Sequence, residues 1–351
     1  MKEDKFQNLV DSKGKILKFS EEGFRNLVVN YPNHCFVCGA ESIQSSPNNV
    51  NSVVFNGEHV VPNWLINHFG LNAKKVTMFL PSGQEMTYGK KMPCCQECNS
   101  HFGLFFEEPI SEAVKSGGIN KWLKVEDHQF KFHAWLSFVF FKIHLFERDF
   151  YDLRSKNEVC PSKLGDGYEY GQLFDMHTLM RAAVFGNRFE STPGRARRHA
   201  FGSQYIFDVQ DNGVDFDFCS SLTYKTFYLR FNNTCIVSTF DDSGFSETIG
   251  KALLSSLAKT VPSNNALYKR IKHPRWIFNF FCAIRSTVSF DKPLYTHRFS
   301  KGKSDTHVGM VEMMKIAPLN LKNFQDEAYI GETIRFAENL WTFYPNPSVD
   351  E

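Results

Sequence analysis

The sequence predicts an α+β protein in two parts: a small module stapled by metal-binding thiols, followed by a larger mixed α+β domain rich in aromatic residues. Three observations carry this expectation. Two C-x-x-C pairs, Cys35-Phe-Val-Cys38 and Cys95-Gln-Glu-Cys98, bracket a stretch punctuated by Cys, Gly, Pro and Asn. Aromatic and β-branched runs at 201–240 follow an apolar helical stretch at 129–146. At 351 residues the chain exceeds the roughly 150 expected of one domain.

Taken in order, residues 1–30 mix charge with spaced apolar positions (Phe6, Leu9, Val10, Ile16, Leu17) and read as a helical lead-in. Residues 31–125 form the thiol-stapled module, and 126–351 the second domain. Ser111–Lys115 reads as a short helix. Gln129–Phe146 is apolar nearly all round, which places it at the centre of a core. Tyr170–Phe185 is an amphipathic helical candidate. Gln204–Val209, Tyr224–Phe231 and Thr234–Phe240 read as strands, the last two joined at Asn232-Asn233, because Asn tolerates the left-handed conformation of a tight hairpin turn. Ile249, Leu253, Leu254 and Leu257 mark a helix over 245–259.

Composition narrows the function classes. Hydrophobic residues at 42% and charged residues at 22% describe a folded globular chain, not a disordered one. The 36 phenylalanines point to an aromatic core. A formal charge of +2 means that any nucleic-acid surface must come from local clustering. The most apolar run, 134–141, is too short for the ~20 residues that a bilayer requires, so no membrane partner is expected. Nine cysteines, five of them in two tight groups, suit a reducing, cytoplasmic compartment and a metal site better than a disulfide framework.

Two intervening residues let both sulfurs of a C-x-x-C pair face one point about 2.3 Å away, and two pairs complete a tetrahedral zinc site. Cys35, Cys38, Cys95 and Cys98 are the expected ligands, with Gly39 supporting the knuckle turn and Cys94 left as a spare thiol. Between the pairs lies Gly57-Glu58-His59-Val60-Val61-Pro62, and Asn99 follows the second pair directly. An imidazole beside a carboxylate, with an amide brought close by a common zinc anchor, suits divalent-metal hydrolysis.

C-x-x-C, then E-H-x-x-P, then C-x-x-C-N resembles the HNH, or ββα-metal, endonucleases in their zinc-stapled form, over about residues 31–110. The resemblance implies a β-hairpin carrying the histidine and a helix beginning after the last cysteine. It implies that His59 is the general base, that Glu58 is a carboxylate ligand of a catalytic Mg²⁺ or Mn²⁺, and that Asn99 is the second ligand. Two departures stand out. No Asn occurs between Asn72 and Asn99 where the family has its middle Asn, so Asn63 and Asn67 are the candidates for bracing the hairpin, and an insertion is expected around 66–92.

Arg195, Arg197 and Arg198 cluster near Pro193-Gly194. Lys269, Arg270 and Lys272 cluster beside Tyr268 and Trp276, where phosphate contact and base stacking could combine. Lys90 and Lys91 precede the second thiol pair. The expected function is a metal-dependent endonuclease acting on phosphodiester bonds, with double-stranded DNA as substrate, in phage defence or a mobile element. Residues 126–351 would target it or dock a protein partner. A non-catalytic zinc-stapled nucleic-acid or protein-binding module and an RNA-directed nuclease are the alternatives.

Overall fold

The computed structural model describes residues 2–45, 52–72, 74–77, 85–151, 160–167, 170–174, 176–177, 180–181, 202–210, 213–242, 244–287, 295–298, 310–313, 331, 333–335 and 337–338. It is mixed α+β and divides into two compact units, Met1–Thr192 with His297–Met310, and Pro193–Thr296 with Val311–Glu351. The helix that the sequence assigned to the later domain therefore stands in the first unit, with the thiols.

The first unit opens with β1 (Lys2–Glu3), β2 (Leu9–Val10) and β3 (Ile16–Lys18), an antiparallel sheet, and not with the expected helix. Asp4 accepts from the Phe6 and Asn8 N–H groups and Asp11 from those of Lys13 and Lys15, so these carboxylates satisfy the backbone in turns and compete with helix. Helix begins only at α1 (Glu21–Asn30), where Ser20 caps the Gly23 N–H at 2.8 Å and Glu21 and Glu22 suit the positive end of the dipole.

β4 (Phe55–His59) then pairs antiparallel with β7 (Lys91–Cys95), in the register Asn56↔Cys94, Glu58↔Met92 and His59↔Lys91. The expected insertion lies between them as α2 (Asn63–His68) and the short ladder β5 (Lys75–Thr77) with β6 (Glu85–Thr87). α3 (Gln96–Phe102) follows β7 directly, and a π-helical turn, Gly103–Glu107, leads into α4 (Glu108–Lys115).

After α5 (Ile119–Trp122) comes α6 (Glu126–Glu147), buried on almost every face as its composition requires. Its rings reach four neighbours. Phe138 stacks on Phe102 of α3 with centroids 3.9 Å apart. Phe141 approaches Phe24 of α1 at 6.2 Å, and Trp135 meets Trp64 of α2 at 5.9 Å. Phe36, between the first two thiols, lies 6.1 Å from Phe138. Of the 170–185 candidate, the described residues are helical: a 3₁₀ turn at Tyr170–Leu173 and α-helical residues at 174, 176–177 and 180–181.

The second unit is a four-stranded antiparallel sheet in the order β8 (Gly202–Asp208), β11 (Thr234–Phe240), β10 (Thr226–Phe231), β9 (Phe216–Ser221). β9 is the strand that the sequence reading missed. Asn232 takes φ 48° in the expected β10–β11 turn. α7 (Phe245–Thr260) packs on the sheet with α9 (Pro274–Thr287), and α8 (Ala266–Arg270) joins them.

Since Phe138 is buried between the knuckle ring Phe36 and the end of α3, Phe138→Ala removes a ring from two contacts at once. It should cost about 3–5 kcal/mol in chemical unfolding, the range for burying a ring and then leaving its cavity. A loss below about 1 kcal/mol would show that α3 does not depend on α6.

Candidate metal centre and the strand–helix site beside it

Cys35, Cys38, Cys95 and Cys98 bring their sulfurs within 4.8 Å of one another, all buried, forming a group that could hold a metal such as zinc. A tetrahedron built on zinc–sulfur bonds of ~2.3 Å has edges of about 3.8 Å. The Cys38–Cys95 separation is 3.7 Å. Local sequence makes the pocket. Gly39 takes φ 77°, closing a turn in which its N–H reaches the Cys35 carbonyl at 2.8 Å. Cys95 ends β7 and caps α3, accepting from the Cys98 N–H at 3.4 Å.

Cys94 is the spare thiol. It alternates to the other face of β7 from Cys95, and its sulfur lies 3.8 Å from that of Cys35 but outside the four-thiol group. The crowding is chemically informative. The hydrogen bond from Cys35 pulls Cys95 down to about 4, and the same neighbour pushes Cys98 far above the ordinary thiol value. Thiols that must share protons in this way are relieved by a divalent cation, which lets all four ionise.

Two buried side chains around the thiols escaped the sequence reading. His177 Nε2 donates to the Phe36 carbonyl at 2.8 Å, inside the knuckle, and burial lowers its pKa to about 3, so the ring is neutral. Arg181 donates to the Ile16 carbonyl at 2.8 Å and lies 4.6 Å over the Phe19 ring. Burial lowers its pKa, and the nearby charge of Cys38, Cys98 and Cys35 opposes that shift. Nothing in the local sequence pairs 177 and 181 with residues 35–98.

The β4–β7 pair and α3 assemble the other candidates. Asn99 Nδ2 donates to Asn56 Oδ1 at 2.8 Å, tying the helix to the strand and leaving Asn99 Oδ1 as an acceptor. Asn56, and not Asn63 or Asn67, is thus the amide that braces strand against helix. Asn63 begins α2, and Asn67 accepts from Asn72 Nδ2 at 3.4 Å. Strand alternation puts Glu58 on the face of Asn56, and therefore of Asn99. His59, the last residue of β4, has Lys91 as its cross-strand partner, and its ring feels the charge of Glu58 as well.

Burial first, and then the charge of Lys91, holds the His59 imidazole below its ordinary value of 6.5, outweighing the pull of Glu58. Glu58 itself pairs with Lys142, a wholly buried residue of α6 whose ammonium also donates to the His59 carbonyl at 2.8 Å. Beside them, Glu107 is pushed up to about 7, chiefly by burial. His101, two positions past Asn99, packs its ring 4.3 Å from that of Phe105.

Arg195, Arg197 and Arg198 fall outside the described residues. In the second basic segment, Lys269 and Lys272 are exposed, and the Lys272 ammonium sits 3.9 Å over the Tyr268 ring. Arg270 pairs with Glu338 at 3.1 Å, and Arg275 grips Asp217 with two bonds. Trp276 is wholly buried and donates to Glu338, so it cannot stack on a base.

All nine cysteines are free. Among the described residues, no helix is long and apolar enough to cross a membrane. Comparison with known proteins returns no matching family model, no matching curated protein and no matching solved structure.

Proposed function

We propose that the strand–strand–helix unit of residues 55–102, held by zinc on the four thiols, is an HNH-type endonuclease centre that hydrolyses phosphodiester bonds, with double-stranded DNA as substrate. The observation that carries this reading is the order of parts: an antiparallel pair whose first strand ends in Glu58-His59, a helix starting directly after the second, and Asn99 on that helix tied to Asn56 two residues before Glu58. The HNH resemblance calls for that order. A role in phage defence or a mobile element is the context we attach to it, with the second unit targeting the nuclease or docking a partner.

Each side chain then has a task. His59, whose imidazole burial and Lys91 bias toward the neutral form, accepts the proton of the attacking water. Glu58 and Asn99 offer a carboxylate and an amide oxygen, the hard donors that Mg²⁺ or Mn²⁺ prefers. When bound, that ion would supply charge neutralisation at the phosphate and its leaving oxygen. Lys91, exposed across from His59, attracts the phosphate and disfavours a charged imidazole. Arg195, Arg197, Arg198, Lys269 and Lys272 are the second unit's own candidates for phosphate contact.

A second reading, a non-catalytic zinc-stapled binding module, draws on the Lys142–Glu58 pair, because the carboxylate already has a cation. Plasmid cleavage with Mg²⁺ or Mn²⁺ separates the two. His59→Ala should reduce cleavage by about 10²- to 10⁴-fold, the usual worth of a general base, with zinc content and DNA affinity unchanged. Wild-type cleavage by that variant would remove His59 from the reaction.

Zinc is tested independently. Elemental analysis should find one zinc per chain. Cys35→Ser, Cys38→Ser, Cys95→Ser and Cys98→Ser should each lose it and unfold at lower temperature, whereas Cys94→Ser keeps it. Zinc lost from Cys94→Ser alone would reassign the ligand.

The pH dependence follows from the lowered His59 value. The neutral ring is the reactive form, so cleavage should fall only below pH 6.5 on the acid side, and Lys91→Met should move that limb upward. An acid limb above 6.5 in the wild-type protein contradicts the assignment.

A further inference from the structure

The nuclease reading leaves the buried charge nearest its centre without a task. Lys142 of α6 is 0% exposed, although an ammonium is among the groups least often sunk in a core. Its Nζ donates to Glu58 and, at 2.8 Å, to the His59 carbonyl, and it lies 5.6 Å from the centre of the Phe102 ring. The two bonds end on consecutive residues, the last two of β4. A lysine serving stability alone would be exchangeable with an apolar residue, since buried ion pairs rarely outperform a well-packed hydrophobic substitute.

The surroundings sharpen the point. Phe102 belongs to α3, the helix that carries Asn99, so Lys142 touches both elements of the proposed site. The π-helical turn after α3, closed by the Glu108 N–H on the Gly103 carbonyl, brings Glu107 into the influence of both Lys142 and Glu58. Trp135 of the same α6 also faces Glu107 and favours its charged form against the effect of burial. π turns of this kind recur at functional sites. Glu58, Lys142 and Glu107 converge here, with Lys91 acting on His59 from the partner strand.

We propose that Lys142 is the positioning residue of the nuclease centre: it anchors one oxygen of Glu58 and the backbone of His59, so that the remaining Glu58 oxygen stays on the face shared with Asn56 and Asn99 for the divalent ion. This assignment rests on the nuclease reading and adds a residue that the HNH motif does not contain. It acts through Glu58, in the way that outer partners orient the ligands of other metal sites, where their loss typically changes metal affinity or activity by 10–100-fold.

The test compares wild type, Lys142→Met and Lys142→Arg in the full chain, with zinc content and the thermal midpoint as checks on folding. Mn²⁺ binding is read by electron paramagnetic resonance, and DNA cleavage is measured as a function of Mn²⁺. Lys142→Met should raise the Mn²⁺ midpoint about 10- to 100-fold with zinc retained, and Lys142→Arg, which keeps the charge and the donors, should recover part of the loss. An unchanged midpoint in zinc-loaded Lys142→Met overturns the assignment. So does tighter Mn²⁺ binding, which would make the ammonium a competitor of the ion.

If Lys142→Met fails to hold zinc, wild-type protein labelled with ¹⁵N-lysine answers the question. The Lys142 ammonium signal should shift and persist through a Mg²⁺ titration. A signal that does not move at saturating Mg²⁺, or that vanishes as the ammonium is displaced, overturns the proposal. Wild-type protein that binds Mn²⁺ but cleaves neither DNA nor RNA defeats the nuclease reading instead, and the Mn²⁺ comparison of the variants still judges Lys142.

Discussion

Four sulfur atoms within 4.8 Å of one another set the constraint on which the first unit depends. They come from a turn at 35–38 and from the junction of β7 and α3, segments with no local reason to meet. Crowded thiols repel as they ionise, so their convergence without a cation is unfavourable, and a cation turns it into a staple. Because Cys95 both ends the strand and caps the helix, fixing its sulfur fixes where β7 stops and where α3 points. Asn99 stands one residue beyond the last thiol, and its place over β4 follows from that anchor.

The second constraint is burial of α6. A helix apolar on every side has no preferred outer face and must be surrounded. In this chain it is surrounded by the elements that carry the candidate chemistry: Phe138 against α3 and the knuckle, Trp135 against α2, and Lys142 against the end of β4. The unit is therefore an interlocked arrangement in which the packing core and the polar site share one helix. It also explains why the small module does not close at residue 125, since a thiol staple with two short strands and a few short helices buries too little apolar surface alone.

Charge follows the same geometry. His59 and Glu58 are neighbours in sequence, but they meet different lysines: Lys91 across the strand pair for His59, and Lys142 of α6 for Glu58. One lysine is exposed and the other buried, so they act differently. Lys91 biases the imidazole toward neutrality, and Lys142 locks a carboxylate.

Much was legible from residues alone because its causes are local. The C-x-x-C spacing and Gly39 identify the four thiols, and the longer step from Cys94 to Cys98 sets Cys94 apart from them. Periodicity identifies α6, α7 and the strands β8, β10 and β11 with the Asn232-Asn233 turn. What stayed illegible depends on partners distant in the chain. Asn56 as the brace, Lys142 as the clamp on Glu58, His177 and Arg181 around the thiols, and Trp276 as core are all defined by contacts across tens of residues, which no local pattern encodes. The opening residues failed for the opposite reason: their apolar spacing suits a helix, but Asp4 and Asp11 capture the backbone N–H groups that a helix would need. Sequence by itself determined which four thiols could hold a metal and the residue types of the candidate site. Tertiary structure decided which of those side chains meet, because a buried charge or amide takes its role from whatever the fold brings within hydrogen-bond reach.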